Sequence, residues 1–223
     1  MRMLATFEKT ERLRHIGHLD IMRAMQRALR RSGLPVSYSK GFNPHILLTF
    51  ASALSVGAAG EREIMEATLD EDVAPEVFMT AMNAALPPEM QLTSAHPVDE
   101  RRPASMAMVQ AASYDIWVSE PEAAAKLREA LPAFLEQKEI ITERKTKSGV
   151  KPCDIRPLLL ETSMEGDRIR TLMVLTETLS CKPAMLMAAL CAFAGIEMPR
   201  VMVTRKRLFG RNAEGQLQPL EEL

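Results

Sequence analysis

The first hundred residues alternate between strand-like and helix-like segments in an order that restricts the fold. Apolar, β-prone stretches predict strands at residues 3–7, 46–51, 64–69 and 92–97. Apolar residues at helical spacing predict one helix that ends before Gly33, and Pro75 suits the first turn of a second helix. These helices are expected at residues 19–32 and 75–86. The resulting order, strand-helix-strand-strand-helix-strand, is that of a split βαβ unit.

A similar order starts again near residue 113. Strands are predicted at residues 113–118, 140–144, 154–162, 169–176 and 201–204, with a turn at 147–149. Pro121 opens a helix that Ser119 caps and Pro132 ends or kinks, and Gly195 stops a helix over 183–193. We therefore expect an α+β fold of tandem ferredoxin-like units. The expected division is an N-terminal domain 1–98, a linker 99–112 and a C-terminal domain 113–223.

Composition excludes several classes of protein. The chain has 223 residues, 47% hydrophobic and 26% charged, which is typical of a globular protein and not of a disordered or collagen-like one. No apolar run approaches the roughly 18 residues of a membrane span, and the first residues lack the apolar stretch of a signal peptide. The cysteines Cys153, Cys181 and Cys191 are too scattered for a disulfide framework. We therefore expect a cytoplasmic location and no membrane partner.

Charge is unevenly distributed along the sequence, although the formal net charge is −1. Residues 1–45 carry nine basic and three acidic side chains, whereas residues 61–100 carry ten acidic side chains and one basic one. Residues 200–211 add five basic side chains and no acidic one. Such segregation favours a positive face that suits phosphate-bearing partners. The alternative is that these charges pair with one another across the fold.

Basic and aromatic residues of the first 45 positions cluster around the first predicted helix. Arginines recur along one side of that helix, and histidines lie near its start and in the turn-rich loop that follows it. A helix start favours anions because its backbone N–H groups are free, and aromatic rings beside basic residues can stack on single-stranded bases. We predict that these residues gather into one electropositive pocket for RNA or phosphate. The candidates are Arg14, His15, His18, Arg23, Arg27, Arg30, Arg31, Tyr38, Lys40, Phe42, Asn43 and His45.

Each of these features also has a plainer interpretation. A histidine at a helix start is often a cap or a packing residue, and an arginine stripe is by default the solvated side of a helix. His15, His18 and Asp20 form no helical i, i+4 pair, and HExxH and CxxC motifs are missing, so we expect no metal. The sequence also lacks the GxxxxGK(S/T) and GxGxxG motifs and a cysteine triplet for an iron–sulfur cluster. We therefore expect no cofactor.

Residues 17–63 carry several short motifs that are specific in combination. They read GHLDIMRAMQRALRRSGLPVSYSKGFNPHILLTFASALSVGAAGERE, and fainter motifs follow at VKPCDIRP and RKR. Over essentially its full length the chain resembles the radical SAM-linked protein family, a bacterial domain of unknown function. The family pattern commonly continues GFNPH with a second proline, where this chain has Ile46.

The resemblance implies a partner and leaves the activity open. Members of that family are fused to, or encoded beside, a radical S-adenosylmethionine (SAM) protein, often near a ribonuclease and ribosomal proteins. The present chain lacks the cysteine triplet of a radical enzyme, so it would be the companion subunit.

Three functions fit these observations. The first is an accessory module that binds RNA and presents it to a radical SAM enzyme, in tRNA or rRNA modification. The second is an RNA-processing enzyme in which His18 or His45 is the general acid or base and Arg23 or Arg27 stabilises the phosphorane charge. The third is a scaffold that binds only the radical SAM subunit, through the acidic segment 61–100 or the basic face. We prefer the first, non-catalytic function.

Overall fold

The structure is a computed structural model that describes residues 1–146 and 149–223. It confirms the α+β class expected from the sequence. Two compact units are present: residues 1–110 with 205–223 form the first unit, and residues 111–204 form the second. The sequence-based division into domains 1–98 and 113–223 stays a prediction. The predicted turn at 147–149 includes two positions that lie outside the described residues.

The first unit begins with the predicted order of strands and helices. Its elements are β1 (Arg2–Lys9), α1 (His18–Arg31), β2 (Leu48–Phe50), β3 (Ala58–Thr68), α2 (Pro75–Ala85), β4 (Leu92–Val98) and the short α3 (Ser105–Met108). β3 and β4 both pair antiparallel with β1, and β2 pairs antiparallel with part of β3. The central strand β1 is therefore flanked by two strands that are far from it in sequence.

The helix α1 forms because apolar residues return on one side of it. Ile21, Met25, Ala28 and Leu29 are buried on that side. Gly33 follows the helix with φ 72°, a left-handed conformation that glycine adopts without strain. The predicted helix at 19–32 is thus confirmed within one residue at each end.

The core of the first unit lies between one face of its strands and the helices α1 and α2. Alternate residues of β1 and β3 point into this core, as the period of two in a strand requires. Its members include Met3, Ala5, Phe7, Met25, Met65, Ala67, Phe78 and Met82. Burial of each large side chain contributes roughly 1.5–3 kcal/mol. This layer therefore fixes α1 against the strands and leaves its opposite side in solvent.

The second unit combines a short sheet with a separate hairpin. Its elements are β5 (Ala111–Val118), α4 (Pro121–Leu135), β6 (Ile141–Thr146), β7 (Gly149–Asp154), β8 (Leu159–Glu165), β9 (Arg168–Val174) and α5 (Pro183–Ala194). β9 pairs with both β5 and β8, whereas β6 pairs with β7. Because this hairpin departs from the predicted repeat, the tandem ferredoxin-like arrangement is not confirmed in detail.

Three local predictions in the second unit differ from the structure. The strand predicted at 154–162 is divided, because a 3-10 turn at Arg156–Leu158 separates β7 from β8. α4 continues through Pro132 to Leu135, so Pro132 does not end the helix, since a proline near the end of a helix removes only one of its last hydrogen bonds, and the alternative of a kink there stays a prediction. The residue before this helix is Glu120, without a side-chain cap, so Ser119 is not its N-cap.

The chain returns to the first unit through its last long strand. This strand, β10 (Val201–Arg211), continues well beyond the predicted end at 204. From Arg205 onward it belongs to the first unit, where it pairs with β11 (Leu217–Pro219). The prediction stopped early because it followed apolar residues, whereas this part of β10 is rich in arginine and lysine. None of the described helices is both long and apolar enough to span a membrane.

Candidate nucleic-acid interface

The outer side of α1 carries the arginine surface, which we define as Arg23, Arg27, Arg30 and Arg31. All four side chains are exposed, opposite the buried side of the helix. Arg23 forms an ion pair of 3.1 Å with Asp20, and Nη2 of Arg31 donates to the carbonyl oxygen of Ala85 at 2.7 Å. Arg27 and Arg30 have no hydrogen bond or ion pair with any residue that the structure describes. Their guanidinium groups are therefore available to a ligand.

The connection from α1 to β2 contains an exposed segment, residues 38–45, which we call the aromatic loop. Tyr38 pairs with Ile46 at its base. The N–H of Ser39 donates to the carbonyl oxygen of His45 at 2.8 Å, and the Ser39 hydroxyl lies 2.8 Å from Nδ1 of the same histidine. The side chain of Phe42 is fully exposed and Tyr38 is 46% exposed. The loop thus has a fixed base and an uncovered aromatic ring.

Two polar residues complete the aromatic loop. Lys40 and Asn43 are exposed, and neither has a hydrogen-bond or ion-pair partner among residues 1–146 and 149–223. β1 and β2 run parallel to each other because both pair antiparallel with β3. Since α1 returns the chain between these two strands, the aromatic loop and the last turn of α1 lie at the same end of the first unit.

Arg14 and His15 lie at the other end of α1. Nε of Arg14 donates to Nε2 of His15 at 3.2 Å, and Nη1 of Arg14 lies 3.5 Å from a carboxylate oxygen of Glu11. A helix of this length spans about 20 Å, so the two ends are well separated. The structure therefore distributes the predicted residues along α1 and does not gather them at its start.

His18 packs against the protein and lines a small cavity at the start of α1. Its ring meets the ring of Phe50 edge-on, with 5.2 Å between their centroids. Burial, together with the positive charge of Arg205, lowers the pKa of His18 below its ordinary value of 6.5. The imidazole is therefore mainly neutral at pH 7 and adds little positive charge that would attract phosphate.

His45 lines a different cavity from His18. That cavity has a volume of about 280 Å³ and is also lined by Arg2, Thr49 and Glu66. The structure thus does not bring the two histidines into one pocket. Their roles as a general acid and base stay a prediction, which no described contact between them supports.

A buried group of charges beneath the start of α1 was missed by the sequence analysis. Lys9, Glu63 and Arg205 are each no more than 3% exposed. Nε of Arg205 donates to Oε1 of Glu63 at 2.8 Å, and its Nη2 donates to Oε2. Other N–H groups of Arg205 donate to the carbonyl oxygens of Ser52 at 3.1 Å and Ala53 at 3.3 Å. Arg205 therefore holds the loop between β2 and β3.

Lys9 holds the loop that leads into α1. Its Nζ donates to the carbonyl oxygens of Arg14 at 3.2 Å and Ala58 at 3.0 Å. Burial lowers the pKa of Lys9, as does the charge of Arg205, while Glu63 acts in the opposite direction. The sequence did contain a signal for this site. Every second residue of β1 points into the core, and a lysine occupies the last of these positions. That alternation runs Met3, Ala5, Phe7, Lys9.

The structure pairs part of the unevenly distributed charge within the fold, whereas the predicted positive face for a phosphate-bearing partner stays a prediction. Several carboxylates of the acidic segment pair with basic residues, most of which come from the two ends of the chain. These pairs are Glu61 with Lys206, Glu63 with Arg205, and Glu66 with Arg2 and Arg102. Arg27 and Arg30 take no part in this pairing within the described structure. Two positive charges on α1 are thus left without a partner among the described residues.

Comparison with known families identifies the family of the chain. A family model described as an uncharacterized protein conserved in bacteria (DUF2344) matches residues 2–185. The chain belongs to this DUF2344 family. A comparison with curated proteins gave no match. Neither finding mentions a radical SAM protein, so that part of the resemblance stays a prediction.

The DUF2344 match contains the arginine surface and the aromatic loop but ends before β10. Glu63 therefore lies within the matched residues, whereas its partner Arg205 lies beyond them. In the part of this DUF2344 chain that the structure describes, no three His, Cys, Asp or Glu side chains are grouped as a metal site would require.

Proposed function

We propose that this DUF2344 protein is an accessory RNA-binding module that holds RNA through its arginine surface. The observation that carries the proposal is that Arg27 and Arg30 are exposed and have no partner among the described residues. A guanidinium group can donate two parallel hydrogen bonds to a phosphate. Two such groups without a partner on one side of a helix suit the repeated phosphates of a polyanion better than a single small phosphate.

The rigidity of α1 supports the same proposal. Its buried side is part of the core of the first unit, so the arginines project from an element whose position is fixed. Phosphate contacts release counterions from the nucleic acid, and each contact adds about −0.7 to −0.9 to the slope of log affinity against log salt concentration. Binding through this surface should therefore weaken steeply as salt is raised.

Replacing Arg27 and Arg30 together by glutamine is expected to weaken tRNA binding and to reduce the magnitude of the salt slope by about 1.4–1.8. Two phosphate contacts are lost, whereas the helix is retained because glutamine has a helix propensity close to that of arginine. Fluorescence anisotropy with labelled bulk tRNA, over a series of salt concentrations, measures both quantities. Circular dichroism checks that the fold is unchanged.

The matched control carries Arg101→Gln and Arg128→Gln. Both arginines are exposed and lie outside α1, so this pair removes the same charge from other surfaces. An equal loss of affinity in the control would mean that only net charge matters. That result, or salt-independent binding by the wild type, contradicts the proposal.

The same proposal assigns the bound RNA to a radical SAM partner, in tRNA or rRNA modification in the cytoplasm. Its support is the resemblance through the GHLD and GFNPH motifs and the missing cysteine triplet. We expect the chain to co-purify with a radical SAM protein of the kind that the resemblance implies when the two are co-expressed. If the chain is recovered without that protein at both low and high salt, the proposed radical SAM partner is contradicted. RNA binding is not affected by this result, because the salt-dependence experiment tests it separately.

A further inference from the structure

We propose that the aromatic loop selects unpaired nucleotides of the bound RNA by stacking a base on Phe42, an inference that rests on the proposed RNA binding. The side chain of Phe42 is fully exposed, whereas most large apolar side chains of the first unit are covered. Its exposure gives up the free energy that burial of a phenylalanine provides. A ring in this position contributes nothing to the core and is free to meet a ligand.

The base of the aromatic loop is fixed by a buried side chain and by hydrogen bonds. Ile46 is 1% exposed and anchors the loop to the core. The N–H of Leu47 donates to the carbonyl oxygen of Ser37 at 2.9 Å, and the N–H of His45 donates to the hydroxyl of Ser39 at 3.1 Å. A loop that is already ordered loses less conformational entropy when it binds. Phe42 therefore lies on a loop whose two ends are already fixed.

The surroundings of Phe42 favour a nucleotide over an apolar protein surface. Lys40, Asn43 and His45 are exposed polar residues of the same loop. A protein-binding surface usually has a contiguous apolar centre, which these residues interrupt. An aromatic ring beside a cation instead matches the two parts of a nucleotide, because the base stacks on the ring and the phosphate attracts the ammonium group.

Stacking on Phe42 requires a base whose face is uncovered. In an RNA duplex the base faces are covered by the neighbouring pairs, so the ring can reach them only in loops, bulges or single-stranded ends. Tyr38 lies seven positions after Arg31, which limits the distance between their Cα atoms to about 25 Å. A single-stranded RNA that follows the arginine surface can therefore reach the aromatic loop within a few nucleotides.

The test compares a single-stranded RNA of about twelve nucleotides with the blunt duplex of the same sequence, by fluorescence anisotropy. We expect Phe42→Ala to weaken binding of the single strand about tenfold and to leave duplex binding and the salt slope unchanged. Phe42→Trp should retain single-strand binding because it keeps an aromatic face. Phe42→Leu should behave as Phe42→Ala because it keeps only the apolar character.

The outcomes separate this inference from the proposed function. If Phe42→Ala weakens neither RNA, or weakens both equally, base stacking is excluded, and RNA binding by the arginine surface stands. If Phe42→Leu binds the single strand as well as the wild type does, the contact is apolar and not stacking. If the wild type binds neither RNA, both proposals fail. If Phe42→Ala leaves RNA binding intact but releases a co-purified protein, the loop is a protein contact.

Discussion

Replacing Arg205 by methionine is expected to lower the free energy of unfolding by about 3–5 kcal/mol. The side chain is 2% exposed, and each of its nitrogen atoms donates to Glu63 or to the Ser52–Ala53 segment. Methionine fills much of the same volume but leaves the carboxylate of Glu63 buried without this partner. Urea denaturation followed by circular dichroism measures the loss.

Two further variants show whether the lost charge or the lost volume is responsible. Glu63→Leu combined with Arg205→Met removes both charges and should recover most of the loss, because an apolar replacement of a whole buried pair is often neutral. Arg211→Met is the matched control, since Arg211 is exposed on the same strand, and it should change the stability by less than about 1 kcal/mol. A loss for Arg205→Met no greater than this control would contradict a stabilising role for the pair.

Replacing Glu66 by glutamine is expected to lower the free energy of unfolding by about 3 kcal/mol at pH 7 and to make this free energy less sensitive to acid. Glu66 is 6% exposed. It accepts hydrogen bonds from Arg2, from Nη1 of Arg102 at 3.2 Å and from the N–H of Ser105 at 2.9 Å. Glutamine keeps the shape of the side chain but leaves the two guanidinium groups without their anion.

The pH dependence follows from the pKa of Glu66. Burial alone would raise this pKa, but the hydrogen bonds from Ser105 and Arg2 and the charge of Arg2 outweigh burial, so the pKa lies below its ordinary value of 4.5. Such a carboxylate stabilises the fold above pH 4.5, and this contribution is lost as the pH falls through the folded-state pKa. The difference in the free energy of unfolding between the wild type and Glu66→Gln should therefore be largest at neutral pH and should become smaller in acid.

Unfolding by urea at several values between pH 7 and about pH 3 measures this difference. Glu76→Gln, at an exposed position in the first turn of α2, is the control and should cost less than about 1 kcal/mol at every pH. A difference between the wild type and Glu66→Gln that stays constant down to pH 3 would show that the titration of Glu66 does not contribute to stability.

The elements predicted best from the sequence are those in which local signals agree. α1 has a one-sided apolar pattern and a glycine after its end, and the structure places it within one residue of the prediction. The second half of β10 has no such pattern. Arg205 and Lys206 in this half form ion pairs with carboxylates more than 140 residues earlier in the sequence. Contacts of that range cannot be inferred from local periodicity.

The exposed residues of the candidate site could be predicted from local sequence patterns, but their arrangement in space could not. The exposure of the arginines on α1 follows from helical periodicity, and the exposure of Phe42 from its position in a loop rich in turn residues. The convergence of the histidines depended instead on how distant segments pack. In the structure His18 packs against Phe50, whereas His45 is bonded to Ser39 of its own loop.

The first unit is discontinuous in sequence, because residues 205–223 complete it after the whole second unit has been made. At a synthesis rate of about 5–20 residues per second, the nascent chain waits on the order of 5–20 s between residue 110 and the appearance of Arg205. Throughout that interval Glu63 lacks its partner and the loop between β2 and β3 lacks its anchor. The loop between β2 and β3 is thus among the last parts of the first unit to reach its native contacts during synthesis, although the strands and helices around it are translated first.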